Sequence, residues 1–138
     1  PGLWERKTRV RTVIEVRVLS QDETVRLDPD RLQALYDQLG EAGAEDVVCR
    51  AMEELAVRLS MTERFFRQDR LDDMRKAARS LTGIAEQIGM NCLARVAGDV
   101  TACIDCRDAV ALSATLSRLL RIGERSLTEI WDMQNVQV

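Results

Sequence analysis

The sequence predicts a mostly α-helical, single-domain protein: an antiparallel four-helix bundle that follows a short leading helix and an N-terminal β-hairpin. Three observations predict this fold class. Apolar residues recur at spacings of three and four along four long stretches after residue 40. The links between these stretches are short, which favours antiparallel neighbours. Before residue 28, apolar residues alternate with polar ones instead, as they do in a strand.

Residues 1–27 form a basic N-terminal segment in which we expect the β-hairpin. From Val10 to Leu19 most apolar side chains occupy alternate positions, and Thr24–Leu27 supplies a second strand after a four-residue loop. Two strands alone are only marginally stable in water, so the hairpin needs a surface on which to pack. That surface is either the bundle of the same chain or a second copy, because free strand edges pair readily with other chains.

Residues 28–138 form the predicted helical domain, which begins with a short helix. Asp28 is a suitable N-cap residue, and Pro29 suits the first helical position because its fixed φ angle matches the helix. The short helix is expected to end at about Leu39, because Gly40 and Gly43 follow it.

Four longer helices follow, and each is indicated by one apolar stripe. The links between them are expected near residues 68–69, 89–90 and 107–108. The stripes are Val48, Met52, Leu55, Leu59, Thr62 and Phe66; Leu71, Met74, Ala78, Leu81, Ala85 and Ile88; Leu93, Val96, Val100 and Cys103; and Leu112, Leu116, Leu119, Gly123, Leu127 and Ile130.

The amino-acid composition limits the kinds of molecule that the protein is expected to bind. A chain of 138 residues with 46% apolar and 31% charged residues suits one globular domain with a core of its own. Its net charge of −3 gives no overall attraction to nucleic acid or to a membrane surface, and no apolar run reaches the ~18 residues of a membrane span. Residues 1–19 carry a net charge of +3, which makes them a better candidate for nucleic-acid binding than the helices. We nevertheless expect a protein partner, no membrane and no nucleic acid.

The start of the chain lacks the uninterrupted apolar stretch of a signal peptide, so we expect a cytoplasmic protein. It also lacks an initial Met, so we interpret the first residues as a processed or truncated end. The four cysteines are accordingly expected to be reduced thiols.

The chain contains no histidine, which excludes histidine bases, nucleophiles and metal ligands. Cys103 and Cys106 form a C-x-x-C motif, a spacing used in thiol redox chemistry or as half of a zinc site. Cys92 lies ~16 Å along the helix axis from Cys103, too far to share a metal. We therefore expect no metal and no cofactor, and we interpret Cys103 as a small apolar residue of the core.

A second stripe accompanies the core stripe of the third helix. Arg75, Arg79, Thr82 and Glu86 are spaced four, three and four residues apart, and Gly83 lies one turn beyond Arg79. We call these five residues the arginine face. A mid-helix glycine costs roughly 1 kcal/mol relative to alanine, but it also allows another surface to approach closely. A solvated charged surface is the simpler interpretation, and a docking surface is the alternative.

Two neighbouring features indicate a binding surface less strongly than the arginine face does. Residues 63–79 hold six basic and four acidic residues, so the acids largely offset the bases and nucleic-acid binding is again disfavoured. Phe65 and Phe66 are expected at the turn after the second helix, where they cap the bundle core or, in the case of Phe65, contribute to a docking surface.

From about Leu32 to Trp131 the sequence resembles the histidine-containing phosphotransfer (HPt) domain of bacterial two-component relays. The resemblance lies in LQALYDQLG, in EDVVCRAMEEL and above all in Ala78–Gly83 (ARSLTG) followed by Ile88-Gly89. The motif of the family is Ala-His-x-Leu-Lys-Gly, followed by Leu-Gly. The phosphate-accepting histidine falls on Arg79 and the supporting lysine on Thr82. The resemblance thus implies an HPt-like bundle without the phosphorylatable residue.

An arginine cannot replace that histidine, because its protonated guanidinium has no available lone pair to accept a phosphoryl group. Ser80 and Thr82 carry hydroxyl groups but have no neighbouring base in the sequence. The resemblance implies that the arginine face docks onto a partner such as a response-regulator receiver domain. We therefore expect a non-enzymatic signalling module, and the alternative is a dimeric scaffold joined through the β-ribbon. An enzyme ranks third, supported only by the C-x-x-C motif and the two hydroxyls.

Overall fold

The computed structural model describes residues 27–136, and the side chains of residues 27–130. This part of the chain contains four α-helices and no strand: α1 Pro29–Arg67, α2 Leu71–Gln87, α3 Asn91–Asp105 and α4 Ala109–Val136. The predicted helical class is thus confirmed for these residues. The predicted β-hairpin lies outside the described residues apart from its last position, Leu27, and stays a prediction.

The long helix α1 is two helical segments joined at a glycine. Gly40 has φ 75° and ψ 176°, outside the helical region, so a short leading helix ends at Leu39 as the sequence predicts. The left-handed φ angle explains why glycine occupies this position. Gly43 was also expected to break the helix, and that expectation is wrong: Gly43 lies inside the second segment. The second segment of α1 and helices α2–α4 provide the four long helices.

The helices form a closed ring around the core. Helix α1 packs against α2, α2 against α3, and α3 against α4, while α4 packs back against α1. Each link between consecutive helices is three residues long, so packed neighbours must run in opposite directions. The side chains most deeply buried between them include Leu55, Met74, Leu81, Ile88, Leu93, Val96, Val100, Leu119 and Ile122. Leu71, predicted for the core stripe of α2, is instead 37% exposed because it stands at the first residue of that helix.

The same turn ends α1, α2 and α3. Asp69, Gly89 and Arg107 have left-handed φ angles of 56°, 79° and 55°, one in each link. In each link the next backbone N–H donates to a carbonyl oxygen five residues earlier, as in a Schellman motif. These bonds join Arg70 to Phe65, Met90 to Ala85, and Asp108 to Cys103, over 2.9, 2.9 and 3.2 Å. The turns reverse the chain within three residues and so hold the helices as antiparallel pairs.

We expect Arg107→Gly to stabilise the protein. A non-glycine residue in the left-handed region costs roughly 1–2 kcal/mol, and glycine removes that cost. Because the substitution also deletes a charge, the matched control is Arg107→Ala, which deletes the charge and keeps the strained angle. Urea unfolding should place the glycine variant about 1 kcal/mol above the alanine variant. Equal stabilities would show that the turn carries no such strain.

The leading helix is fastened to the α2–α3 link by polar contacts. The Asp28 backbone N–H donates to the Gly89 carbonyl oxygen at 2.8 Å, and the Arg31 Nε atom donates to the Gln87 carbonyl oxygen at 2.8 Å. The Asp28 carboxylate accepts from the backbone N–H of Asp30 at 3.0 Å, which confirms the predicted N-cap. The end of α2 that follows the arginine face is therefore covered by the start of α1.

Candidate functional site

Helix α2 carries the arginine face, and its opposite side is buried in the core. Met74, Ala78, Leu81 and Ala85 are fully buried, whereas Arg79, Gly83 and Glu86 are exposed. Arg75 and Thr82 are half-buried. The structure therefore places all five predicted residues on the side of α2 that does not enter the core.

Arg75 is engaged by a partner that sequence analysis did not predict. Its Nε atom donates to Oδ1 of Asp105 at 2.7 Å, and its Nη2 atom donates to Oδ2 at 3.2 Å, so the pair is bidentate and joins α2 to the last turn of α3. The hydrogen bond and the charge of Asp105 raise the pKa of Arg75. The hydrogen bond from Arg75, with the charges of Arg75 and Arg79, lowers the pKa of Asp105, and partial desolvation opposes this effect.

A signal for this pair does exist in the sequence. Arg75 lies 15 residues before Met90 and Asp105 lies 15 residues after it, as 90 − 75 and 105 − 90 show. Two antiparallel helices that rise equally per residue from one short link bring such positions to the same level. The pairing follows from this register, once the link is known to lie at residues 88–90.

Within residues 27–130, Arg79 is the cation of the arginine face that has no partner. Its side chain is exposed and stands one turn beyond Arg75, and within the part of the chain that the structure describes its guanidinium has no ion pair or hydrogen bond. Its charge reaches Asp105, because it contributes to the lowered pKa of that carboxyl group. Five N–H donors in a planar arrangement are thus available to a carboxylate or phosphate from outside.

Gly83 leaves an opening beside Arg79. Apart from its chain neighbours and the nearby backbone of α2, a Cβ atom built on Gly83 would meet no atom of the described residues within 4 Å, so neither a packing contact among those residues nor a left-handed angle requires glycine there. Thr82, its neighbour, donates its hydroxyl to the Ala78 carbonyl oxygen at 3.1 Å. This part of α2 therefore presents backbone rather than bulky side chains to its surroundings.

Neither neighbouring hydroxyl is placed as a nucleophile. The Oγ atom of Ser80 accepts from the Nε atom of Arg58 at 3.1 Å, which turns Ser80 towards α1 and away from the arginine face. Thr82 is bonded to its own helix. Neither contact is to a base that could remove the hydroxyl proton. The structure does not bring Ser80 and Arg79 together on one surface.

The cysteines do not form a metal site in the described residues. None of the four is in a disulfide, and no group of three or more potential metal ligands occurs within residues 27–130. Cys103 is half-buried against the core, as expected, and its Sγ atom lies 3.6 Å from Oγ1 of Thr115. Cys106 is exposed at the C-cap of α3.

The basic stretch around the α1–α2 link is largely neutralised. Arg67 pairs with Glu63 at 3.1 Å and Arg70 with Asp73 at 2.6 Å. The guanidinium carbons of Arg70 and Arg64 lie 4.8 and 5.8 Å from the centroid of the Phe65 ring, which packs partly buried against the core. Phe65 therefore closes this end of the bundle under two arginines, and the interleaved acids explain the weak signal for nucleic acid.

Comparison of the chain with protein-family models, curated proteins and solved structures found no match. No helix in residues 27–136 is long and apolar enough to cross a membrane.

Proposed function

We propose that the chain is a non-catalytic, HPt-like signalling module that binds a protein partner through the arginine face and transfers no phosphoryl group. A response-regulator receiver domain is the partner that the motif resemblance favours. The observation that carries the proposal is the exposed guanidinium of Arg79, which has no partner within residues 27–130 and lies on α2 beside the opening at Gly83. The setting that the motif resemblance favours is the bacterial cytoplasm, where cysteines are kept reduced.

The side chains around Arg79 support binding without chemistry. The arginine stands where the family's phosphate-accepting histidine falls in the motif, and a guanidinium group offers no lone pair to accept a phosphoryl group. Ser80 and Thr82 already contact Arg58 and the Ala78 carbonyl oxygen. The site therefore offers donors and positive charge, which are features of recognition rather than of phosphoryl transfer.

The same geometry indicates what the face would recognise. Arg75 is already compensated by Asp105, so Arg79 supplies the uncompensated charge at the centre of the face. Arginine pairs with carboxylates in a bidentate way, and charged groups in an interface chiefly set specificity and the association rate. Gly83 would allow the backbone of a partner to approach next to that ion pair. An acidic pocket bordered by a flat surface is the complementary shape.

The first experiment is a titration of purified receiver domains against the wild-type chain and Arg79→Glu. We expect measurable binding by the wild type and at least a tenfold loss in the variant, because the substitution places like charges in contact across the interface. Arg118→Glu is the matched control, because Arg118 is an exposed arginine on α4, which does not adjoin α2 in the ring. The control variant should bind like the wild type.

Two results would contradict the proposal: equal affinity of wild type and Arg79→Glu, or no binding to any receiver domain. Transfer of phosphate from a phosphorylated receiver domain to the chain would contradict its non-catalytic character. Light scattering of the full chain and of residues 28–138 would then test the dimeric scaffold, which predicts a dimer only when residues 1–27 are present.

A further inference from the structure

The C-x-x-C motif includes the residue that contacts the arginine face from the last turn of α3. Asp105, which holds Arg75, lies between Cys103 and Cys106 in the chain. Cys106 is exposed to solvent at the helix end, and Cys103 is half-buried beside Thr115. The two thiols are thus one turn apart on the helix segment that positions the Asp105 carboxylate.

The helical geometry of this turn nearly permits a disulfide. Side chains three residues apart on a helix have Cβ atoms about 5–6 Å apart. A disulfide requires Cβ atoms about 3.5–4.5 Å apart. Bond formation between Cys103 and Cys106 therefore needs an approach of about 1–2 Å, which the backbone of residues 104 and 105 must accommodate.

We propose that Cys103 and Cys106 form a reversible disulfide by exchange with a low-molecular-weight disulfide, and that its formation draws Asp105 away from Arg75. The two hydrogen bonds from Arg75 are 2.7 and 3.2 Å long. The longer one is already at the limit of a good N–H···O bond, so a displacement of about 1 Å breaks the bidentate contact. The turn is fixed to the rest of α3 by the bond from the Cys106 N–H to the Ala102 carbonyl oxygen, which must also readjust.

The reaction is an ordinary thiol–disulfide exchange. The Cys106 thiolate attacks one sulfur of a small disulfide such as oxidised glutathione, and the other half leaves as a thiolate. The Cys103 thiol, after loss of its proton, attacks Cys106 in the mixed disulfide and releases the second half. Two protein S–H bonds are lost, one S–S bond forms, and the two electrons and two protons pass to the small disulfide as two thiols. In cytosolic proteins such bonds are characteristically transient and redox-sensing.

The expected consequence is a change in the charge of the arginine face. In the reduced protein Arg75 is compensated by Asp105, and Arg79 has no partner among the described side chains. In the oxidised protein both guanidinium groups are free, so the face becomes more basic and binds an acidic partner more tightly. This last step rests on the proposed function, whereas the bond and the release of Asp105 do not.

The test uses the full chain with Cys49→Ser and Cys92→Ser, which leaves Cys103 and Cys106 as its thiols. Oxidised glutathione should reduce the thiol count from two to zero and lower the intact mass by two hydrogens, and dithiothreitol should reverse both changes. Carbon-13 NMR should show the pKa of Asp105 rising towards its ordinary value in the oxidised protein, since Arg75 no longer holds it down. If the double variant does not fold, peptide mapping of the oxidised wild type and the same NMR titration replace it.

Cys106→Ser in the same background is the control and should show no mass loss and no change in the Asp105 titration. Glutathione adducts or linked dimers without an internal bond would overturn the proposal. So would an internal disulfide that leaves the Asp105 titration unchanged. Receiver binding by the reduced wild type is measured separately, so a failure of the proposed function and a failure of the switch give different results.

Discussion

Leu81→Ala is expected to lower the free energy of unfolding by about 2–5 kcal/mol, the range found when a buried leucine is truncated. Leu81 is completely buried and belongs to the same core cluster as Leu55 and Met74. The loss combines the transfer free energy of the removed carbons with the cost of a cavity between helices that can only partly close. Urea denaturation monitored by circular dichroism measures it.

Leu71→Ala is the matched control, because it makes the same chemical change in the same helix. Leu71 is 37% exposed at the first residue of α2, so its loss should stay below about 1 kcal/mol. The comparison also bears on function, since Leu81 lies two residues from Arg79 and therefore on nearly the opposite side of the helix. Equal losses in the two variants would mean that another side of α2 enters the core, and that the arginine face is misplaced.

The helices themselves were predictable because burial imposes a period on the sequence. The stripe from Leu93 to Cys103 falls within α3, and the stripe from Leu112 to Ile130 falls within α4. The three links also fall where the stripes are interrupted. Each of these features depends on local spacing alone, so a single sequence is sufficient to indicate it.

Features that depend on contacts between helices were not predicted. Of the three links, glycine marks the left-handed turn only in the one that contains Gly89, whereas Asp69 and Arg107 adopt a left-handed φ angle in the other two without that signal. Conversely, Gly43 was expected to break a helix and does not, and the intrinsic cost of a glycine inside a helix is only about 1 kcal/mol. Helix propensity and turn chemistry are therefore weak predictors at single positions.

The candidate site was likewise predicted from the sequence only in part. The exposed positions of Arg79, Gly83 and Glu86 follow from the helical period. The pair of Arg75 with Asp105 and the contact of Ser80 with Arg58 depend on the register between helices, which follows from the position of each link rather than from the apolar stripes. The stripes thus located the surface, whereas the compensation of Arg75 by Asp105 was not predicted and was found in the structure.

Gly89→Ala is expected to destabilise the protein by about 2–4 kcal/mol, combining the cost of a left-handed non-glycine residue with that of overpacking. The φ angle of Gly89 is 79°, and a Cβ atom there would lie 3.0 Å from the Cβ atom of Asp28 and 3.1 Å from its backbone nitrogen. The alanine would therefore also press on the bond that ties the leading helix to the Gly89 carbonyl oxygen. Urea denaturation is again the measurement, and a loss below about 1 kcal/mol would contradict the close contact.

Gly83→Ala should have the opposite effect, because Gly83 lies inside α2 whereas Gly89 lies in the link that follows it. Its position is open, so alanine should raise the free energy of unfolding by about 0.5–1 kcal/mol through helix propensity alone. If the opening serves a partner, the same variant should bind a receiver domain more weakly than the wild type despite its greater stability. Gly98→Ala is the control, because Gly98 is an equally open helical glycine on α3. If Gly83→Ala alone combines higher stability with weaker binding, Gly83 takes part in recognition of the partner. If Gly83→Ala binds as tightly as the wild type, glycine at this position has no role in binding.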